Sequence, residues 1–229
     1  MTPSHLADIP MRTLYLALSL GLLAVPAAVL LPAASSALAA PQSANPEERQ
    51  VIATFEKAQT ALSRKRGGEV VPLLSRASVD KLEKVRAAAR NGATNLDTLD
   101  PAEKFAVLGL RRYVSPADLR RMSLGDLADH AMKNGWLGPN VIARSSLGPV
   151  RVRGDRASAI LMVDNRPALV PADFVREGGA WCIDLTNVFT YGGQMLQGFA
   201  AMSGKDEESY IAGLLDKLPA RPAMAPAGR

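Results

Sequence analysis

The spacing of apolar positions changes three times along this chain, and the changes divide it. From Leu14 to Ala40 the residues are almost all Leu, Ala, Val, Ser, Gly and Pro, with no charge. From Asn45 to Asn134 apolar residues recur at steps of three and four, the period of helices packed along one stripe. From Val141 to Val188 they alternate, the period of strands with one face buried. Helical spacing returns from Tyr191 to Leu218, broken near Ser203-Gly204, and Pro219 to Arg229 is Pro-Ala-rich and read as a disordered tail.

Punctuation residues refine these blocks. Asn45 precedes Pro46, the cap followed by first-turn proline that starts a helix, and Val51, Ile52, Phe55, Ala58 and Leu62 then follow at helical spacing to Arg64. After Gly67-Gly68 and a short apolar turn at Val70 to Leu74, Ser78 to Ala89 predicts a second helix closed by Asn91-Gly92. Asp100-Pro101 opens a third that stops before Ser115-Pro116, and two short helical turns follow, Pro116 to Arg121 and Ser123 to Asn134. Predicted strands are Val141 to Ser146, Val150 to Arg153, Ala157 to Asp164, Ala172 to Glu177 and Ala180 to Val188. Turns are expected at Leu147-Gly148-Pro149, Gly154-Asp155, Asn165-Arg166-Pro167 and Gly178-Gly179. A two-residue Gly-Gly loop fixes a tight hairpin, which sets Arg176 opposite Trp181 and Phe174 opposite Ile183 on one face, the guanidinium over the indole. Val175, Cys182 and Asp184 fall on the other face. The class is therefore α+β: N-terminal helices packed against a curved antiparallel sheet, with a C-terminal helical extension, forming one domain over residues 45–218.

The uncharged N-terminal run has a compartment meaning. Arg12 stands before it and Ala37-Leu38-Ala39 supplies the small-x-small pattern of a signal peptidase site, so residues 1–39 read as a cleavable export signal and the chain as periplasmic or secreted. An uncleaved anchor is the alternative, disfavoured by Pro26 and Pro32 within the run. Met11 is a second candidate start. No cysteine lies near the cut, which argues against a lipid-modified terminus, and no membrane-spanning segment is expected after cleavage. Removing Asp8 and Arg12 with the signal leaves 26 basic against 21 acidic residues.

Lys57 to Arg90 holds nine basic residues against Glu69, Asp80 and Glu83. Such a run fits either a solvated helix face, the commoner case, or attraction to an anionic lipid or cell-wall surface. It contains no aromatic residue to stack a base, so nucleic acid is not an expected partner. Cys182 is the single cysteine, which excludes an internal disulfide, and it is expected to be a small buried apolar residue.

Helices followed by antiparallel strands that end in the hairpin Asp173 to Leu185, preceded by the strand start Gly154-Asp155-Arg156-Ala157, resemble the nuclear-transport-factor-two-like group, with its ketosteroid-isomerase-like and polyketide-cyclase-like members and its cystatin-like cone. The resemblance covers Val141 to Val188 and implies a sheet curved around helices to enclose a pocket. The helical region between Arg64 and Asn134 is longer than the group's, and the helices after Tyr191 are additions, so the pocket's shape does not carry over.

Candidate chemistry is sparse. Once residues 1–39 are removed, one histidine, His130, and one cysteine, far apart, offer no metal site, and no cofactor is expected. There is no phosphate-binding loop or dinucleotide fingerprint, and Ser145-Ser146 and Ser203-Gly204 lack a nucleophile-elbow context. Asp126, Asp129 and His130 form a local cluster in which Asp126 and His130, at i and i+4, can share a helix face. The isomerase-like members of the resembled group use an acidic base and a tyrosine or second acid as oxyanion donor. Those roles here would fall to Asp184 or Asp164 and to Tyr191 or Tyr113, against the structural alternative that Asp184 caps its strand or pairs with a helix residue. Trp136 and Trp181 read as core anchors. The function expected on these grounds is a non-enzymatic exported module that holds a small apolar ligand or docks an envelope protein. The alternative is a small acid-base enzyme of the isomerase or cyclase type.

Overall fold

The computed structural model describes residues 45–92, 95–135, 144–168 and 170–217. The signal expected at 1–39, Trp136, the first residues of the strand expected from Val141 and the tail expected from 219 lie outside them. Helix α1 (Pro46–Ser63) starts where expected, with the Asn45 side chain accepting from the amides of Glu47 and Glu48 while the Glu48 carboxylate accepts from the Asn45 amide. A 3-10 turn (Gly67–Leu73) leads to α2 (Arg76–Arg90), capped by Ser75. Gly67 is there for closeness: a Cβ at that position would sit 2.5 Å from the Ala128 carbonyl oxygen. Helices α3 (Pro101–Tyr113), α4 (Pro116–Arg121) and α5 (Leu124–Lys133) follow, each opened by the side chain of an Asp or Ser: Asp100, Ser115 and Ser123.

The sheet is open and antiparallel, in the order β1 (Ser145–Arg153), β2 (Arg156–Val163), β4 (Ala172–Glu177), β5 (Ala180–Asp184), with the short β3 (Arg166–Pro167) pairing β2. It is curved, and helices lie at both of its ends. Across Gly178-Gly179, both with positive φ (57° and 84°), Arg176 pairs with Trp181 and Phe174 with Ile183. The expected register holds, and the Arg176 guanidinium lies 4.8 Å from the centroid of the indole.

Three expectations are corrected. Leu147-Gly148-Pro149 is not a turn but an irregularity inside the continuous strand β1, where the pairing with β2 shifts between Leu147 and Val150. β1 is an edge strand, so the missing amide of Pro149 breaks no second ladder. The last strand stops at Asp184 rather than Val188, because helix α6 (Thr186–Met202) begins there and takes Val188 into its first turns. Asn165 forms a turn with Asp164, both with positive φ, but Arg166 and Pro167 return to the sheet as β3. Helix α7 (Glu207–Lys217) closes the described chain.

Two main cores result. Val51 of α1 packs with Ala157, Phe174 and Trp181 on one face of the sheet, and Phe55, Val150, Val152 and Ile183 surround them. Thr54 on the same helix donates to the Trp181 carbonyl, and Arg176 pairs with Glu47. The second core is helical: Val85, Ala88, Ala89, Leu99, Val107, Val114, Leu119 and Leu127. A smaller cluster of Tyr113, Ile211 and Leu215 fastens α7 onto α3. At the β5 edge Leu74 bridges to Ile183, and Ser75 donates its amide to the Ile183 carbonyl, which joins the sheet to the helical half.

Candidate functional site

Asp184 sits where sheet and helical half meet. It is buried, and its Oδ1 accepts from the Thr186 amide (3.0 Å), the Thr186 hydroxyl (2.7 Å) and the Ser78 hydroxyl (3.4 Å). The two Thr186 donors lie where β5 ends and α6 starts, local bonds that let a short acidic side chain compete with a strand ladder, and the Ser78 donor ties Asp184 to α2. Its cross-strand neighbour is a second acid, Asp173, whose Oδ2 accepts from Asn187 at 2.7 Å.

The other sequence candidates are dispersed. Tyr113 is buried in the α3–α7 cluster and donates its hydroxyl to the Leu215 carbonyl. Asp164 lies in the exposed β2–β3 turn and pairs with Arg144 at 3.3 Å. Tyr191 is an exposed residue of α6, on the rim of a shallow depression of about 310 Å3, open to solvent, with Val170, Gln194 and Met195. Asp126 closes the capping box of α5, its Oδ2 accepting from the Ser123 hydroxyl and amide. Those two bonds hold its carboxyl below the ordinary value. Asp129 instead accepts from the Gly68 amide at 2.8 Å, tying α5 to the 3-10 turn. The His130 carbonyl accepts from the side chain and amide of Asn134, at the C-terminal end of α5. Among the described residues no group of three or more His, Cys, Asp or Glu is placed to hold a metal ion.

The basic run is partly consumed by the fold. Glu103, buried in α3, receives Lys81 Nζ at 2.9 Å and Lys84 Nζ at 2.8 Å, and Lys81 also reaches Asp100. Arg86 pairs with Glu83 and donates to the Met122 carbonyl, and Arg66 pairs with Glu69. Burial disfavours the Glu103 charge, but the hydrogen bonds from Lys84 and Lys81 outweigh it and leave the carboxyl below its ordinary value. For Lys81 burial likewise opposes the charge, and Glu103 and Asp100 together raise its pKa.

The second face of the sheet carries more than the Val175, Cys182 and Asp184 expected there. Strands alternate their side chains, so opposite the Phe174–Trp181 face stand Arg151 and Arg153 of β1, Arg156, Ser158 and Ile160 of β2, Val175 of β4 and Cys182 of β5. Arg151, Arg153, Arg156, Ser158 and Ile160 are exposed, and none of the three arginines makes an ion pair among the described residues. Cys182 is half-buried there rather than enclosed. Burial first, then the Glu177 charge, push its thiol up, so it stays protonated at neutral pH and is a poor nucleophile. The signal was present as Arg151-x-Arg153 and Arg156-x-Ser158-x-Ile160: positions spaced by two that carry arginine where a solvent face needs no particular charge.

No helix among the described residues is long and apolar enough to cross a membrane. Comparison with protein-family models, with curated proteins and with solved structures finds nothing that matches this chain.

Proposed function

We propose that this chain is an exported, non-enzymatic module that docks an acidic protein of the cell envelope through the open face of its sheet. One observation carries the reading: three exposed arginines without ion pairs converge on β1 and β2, beside the exposed Ile160 and half-buried Met162 and Val175. Arginine with apolar neighbours is the composition of binding hot spots, and a single-sign patch selects an opposite-sign partner and speeds its arrival. A second copy of the same patch would set arginine against arginine, so the partner we infer is a different, acidic protein. Export rests on the uncharged run Leu14 to Ala40 and the Ala37-Leu38-Ala39 site.

The acids of the β4–β5 half of this face are engaged within the fold: Asp173 with Asn187, Glu177 with the Arg76 amide, and Asp184 with Thr186 and Ser78. We therefore place docking ahead of acid-base chemistry at Asp184. The basic run at 57–90 ranks second as an anionic contact, since Arg66, Lys81, Lys84 and Arg86 already have internal partners. The likeness to the nuclear-transport-factor-two-like group remains a proposal, resting on the residues Asp173 to Leu185 and Gly154 to Ala157.

A photo-crosslinking residue placed at Ser158 in the producing cell tests the reading, with Lys57 on α1 as the control position. The expected result is one discrete adduct from position 158, lost when Arg151, Arg153 and Arg156 are changed to glutamate. Equal crosslinking from both positions, or an adduct that survives charge reversal, overturns it.

A further inference from the structure

Helix α6 is unlike the other helices of the chain in carrying no charged residue over its 17 positions. Its inner side is accounted for: Gly193, Leu196 and Ala200 are buried, and Gly192 and Gly193 approach Ala102 and Pro101 of α3. Its outer side carries the exposed polar residues Asn187, Thr190, Gln194 and Gln197, and beside them an apolar stripe. Val188, Tyr191 and Met202 are 44%, 42% and 85% exposed, and Met195 is half-buried beside the shallow depression. With Gly198 these residues fall at steps of three and four (188, 191, 195, 198, 202), which is one narrow stripe and the a/d spacing of a helix pair.

We infer that this stripe pairs with the same stripe of a second copy, the two α6 helices running antiparallel about a twofold axis at Met195. In that register each residue faces the one whose number makes the same sum about Met195. Met195 meets the partner's Met195 and Val188 meets the partner's Met202, while Tyr191 lies within one residue of the partner's Gly198 along the shared stripe. The large and small positions complement each other. Tyr191 is the bulkiest side chain of the stripe, and Gly198 is its gap, with open space where a Cβ would stand.

Charge fits the same arrangement. Lys205, exposed just beyond the C-terminal end of α6 and without an ion pair among the described residues, comes level with the partner's N-terminal end of α6, where Asn187 holds the Asp173 carboxylate. Antiparallel helices also set their macrodipoles head to tail. No like charges meet along the seam, because the seam has none.

Area sets the strength. Seventeen residues span about 25 Å. A single seam of that length falls short of the roughly 1,200 Å2 of specific stable interfaces, so the dimer is a weak, concentration-dependent one. It uses none of the three arginines and reaches the sheet only at Asp173, and it stands or falls apart from the docking reading.

Sedimentation velocity of the purified chain, as its host processes it, over about 1–200 μM is the test, a range chosen for a weak interface. The expected result is a monomer–dimer equilibrium within that range. Met195→Glu and Met195→Lys should each sediment as monomers, and an equimolar mixture of the two should recover the dimer, because position 195 faces itself. Gly198→Glu, which adds helix propensity at an open position and so keeps the fold, should also abolish the dimer by filling the Tyr191 gap. Gln197→Glu, exposed away from the stripe, should leave it unchanged. A wild-type monomer at every concentration, a dimer indifferent to Met195→Glu, or a mixture that stays monomeric overturns the inference.

Discussion

Replacing Glu103 by alanine removes the acid that joins α2 to α3. Its carboxylate is 2% exposed and receives two lysine ammonium groups, while also closing the capping box on the Asp100 amide. A hydrogen bond to a charged group contributes about 1.5–3 kcal/mol when desolvated. Lys84 is about half exposed, so its bond belongs near the low end of that range or below it. Losing half a capping box removes about 0.5–1 kcal/mol more. Against these losses stands relief from burying the carboxylate itself, which leaves a net destabilisation of about 2–3 kcal/mol, or a Tm lower by about 4–12 °C for a chain of this size. Glu103→Gln keeps the side-chain volume and the cap but not the charge, and should lose about half as much. The folded pKa of Glu103 lies below its unfolded value of 4.5, so its charge-linked stabilisation is complete above pH 4.5 and is lost as pH falls through the folded value. Wild type and Glu103→Gln should therefore converge in acid. Urea unfolding followed by far-UV circular dichroism across pH 3 to 7 measures both effects, a range that brackets the carboxylate values. An alanine variant within about 0.5 kcal/mol of wild type, or a glutamine variant with the wild-type acid slope, would refute the buried-pair account.

Three further substitutions probe the scaffold by the same unfolding assay. Gly67→Ala should lose about 2 kcal/mol or more, because the added Cβ meets the backbone carbonyl of Ala128 at 2.5 Å, whereas Gly213→Ala, in open space on α7, should gain up to about 1 kcal/mol. Similar effects for the two would contradict the close approach of α5 to the 3-10 turn. Asp184→Ala should cost about 1–3 kcal/mol through the lost acceptor for Thr186 and Ser78, and an unchanged unfolding midpoint would remove its role in starting α6.

Much of this architecture is legible in the sequence where one local rule decides it. Gly178-Gly179 allows positive φ at both loop residues, so the hairpin register follows from loop length alone. Caps at Asn45, Asp100, Ser115 and Ser123 announce their helices because a short oxygen-bearing side chain stands one residue before a Pro or an apolar turn. The errors arise where two rules compete. Gly148 and Pro149 look like a turn, yet on an edge strand they make only an irregularity, and Gly148 is needed where a Cβ would lie 3.3 Å from the Ile160 carbonyl oxygen. Val188 continues an apolar alternation on paper, but Asp184 has already captured the Thr186 amide, and the chain turns helical. The partners of the basic run were not legible because Lys81 and Lys84 find Glu103 at separations of 22 and 19 residues, outside any helical period. The arginine face of the sheet was readable as alternation, but its openness depends on which face α1 covers, and only the tertiary arrangement decides that.

The docking reading is tested most directly by the affinity of the crosslinked partner, once purified, for the wild-type chain and for the variant with Arg151, Arg153 and Arg156 changed to glutamate. Isothermal titration at low and high salt should give a wild-type Kd that weakens as salt screens the patch, and a charge-reversed chain that binds at least about tenfold more weakly with little salt dependence. Met195→Glu should bind as wild type does. Equal affinity for wild type and the arginine variant would contradict the account.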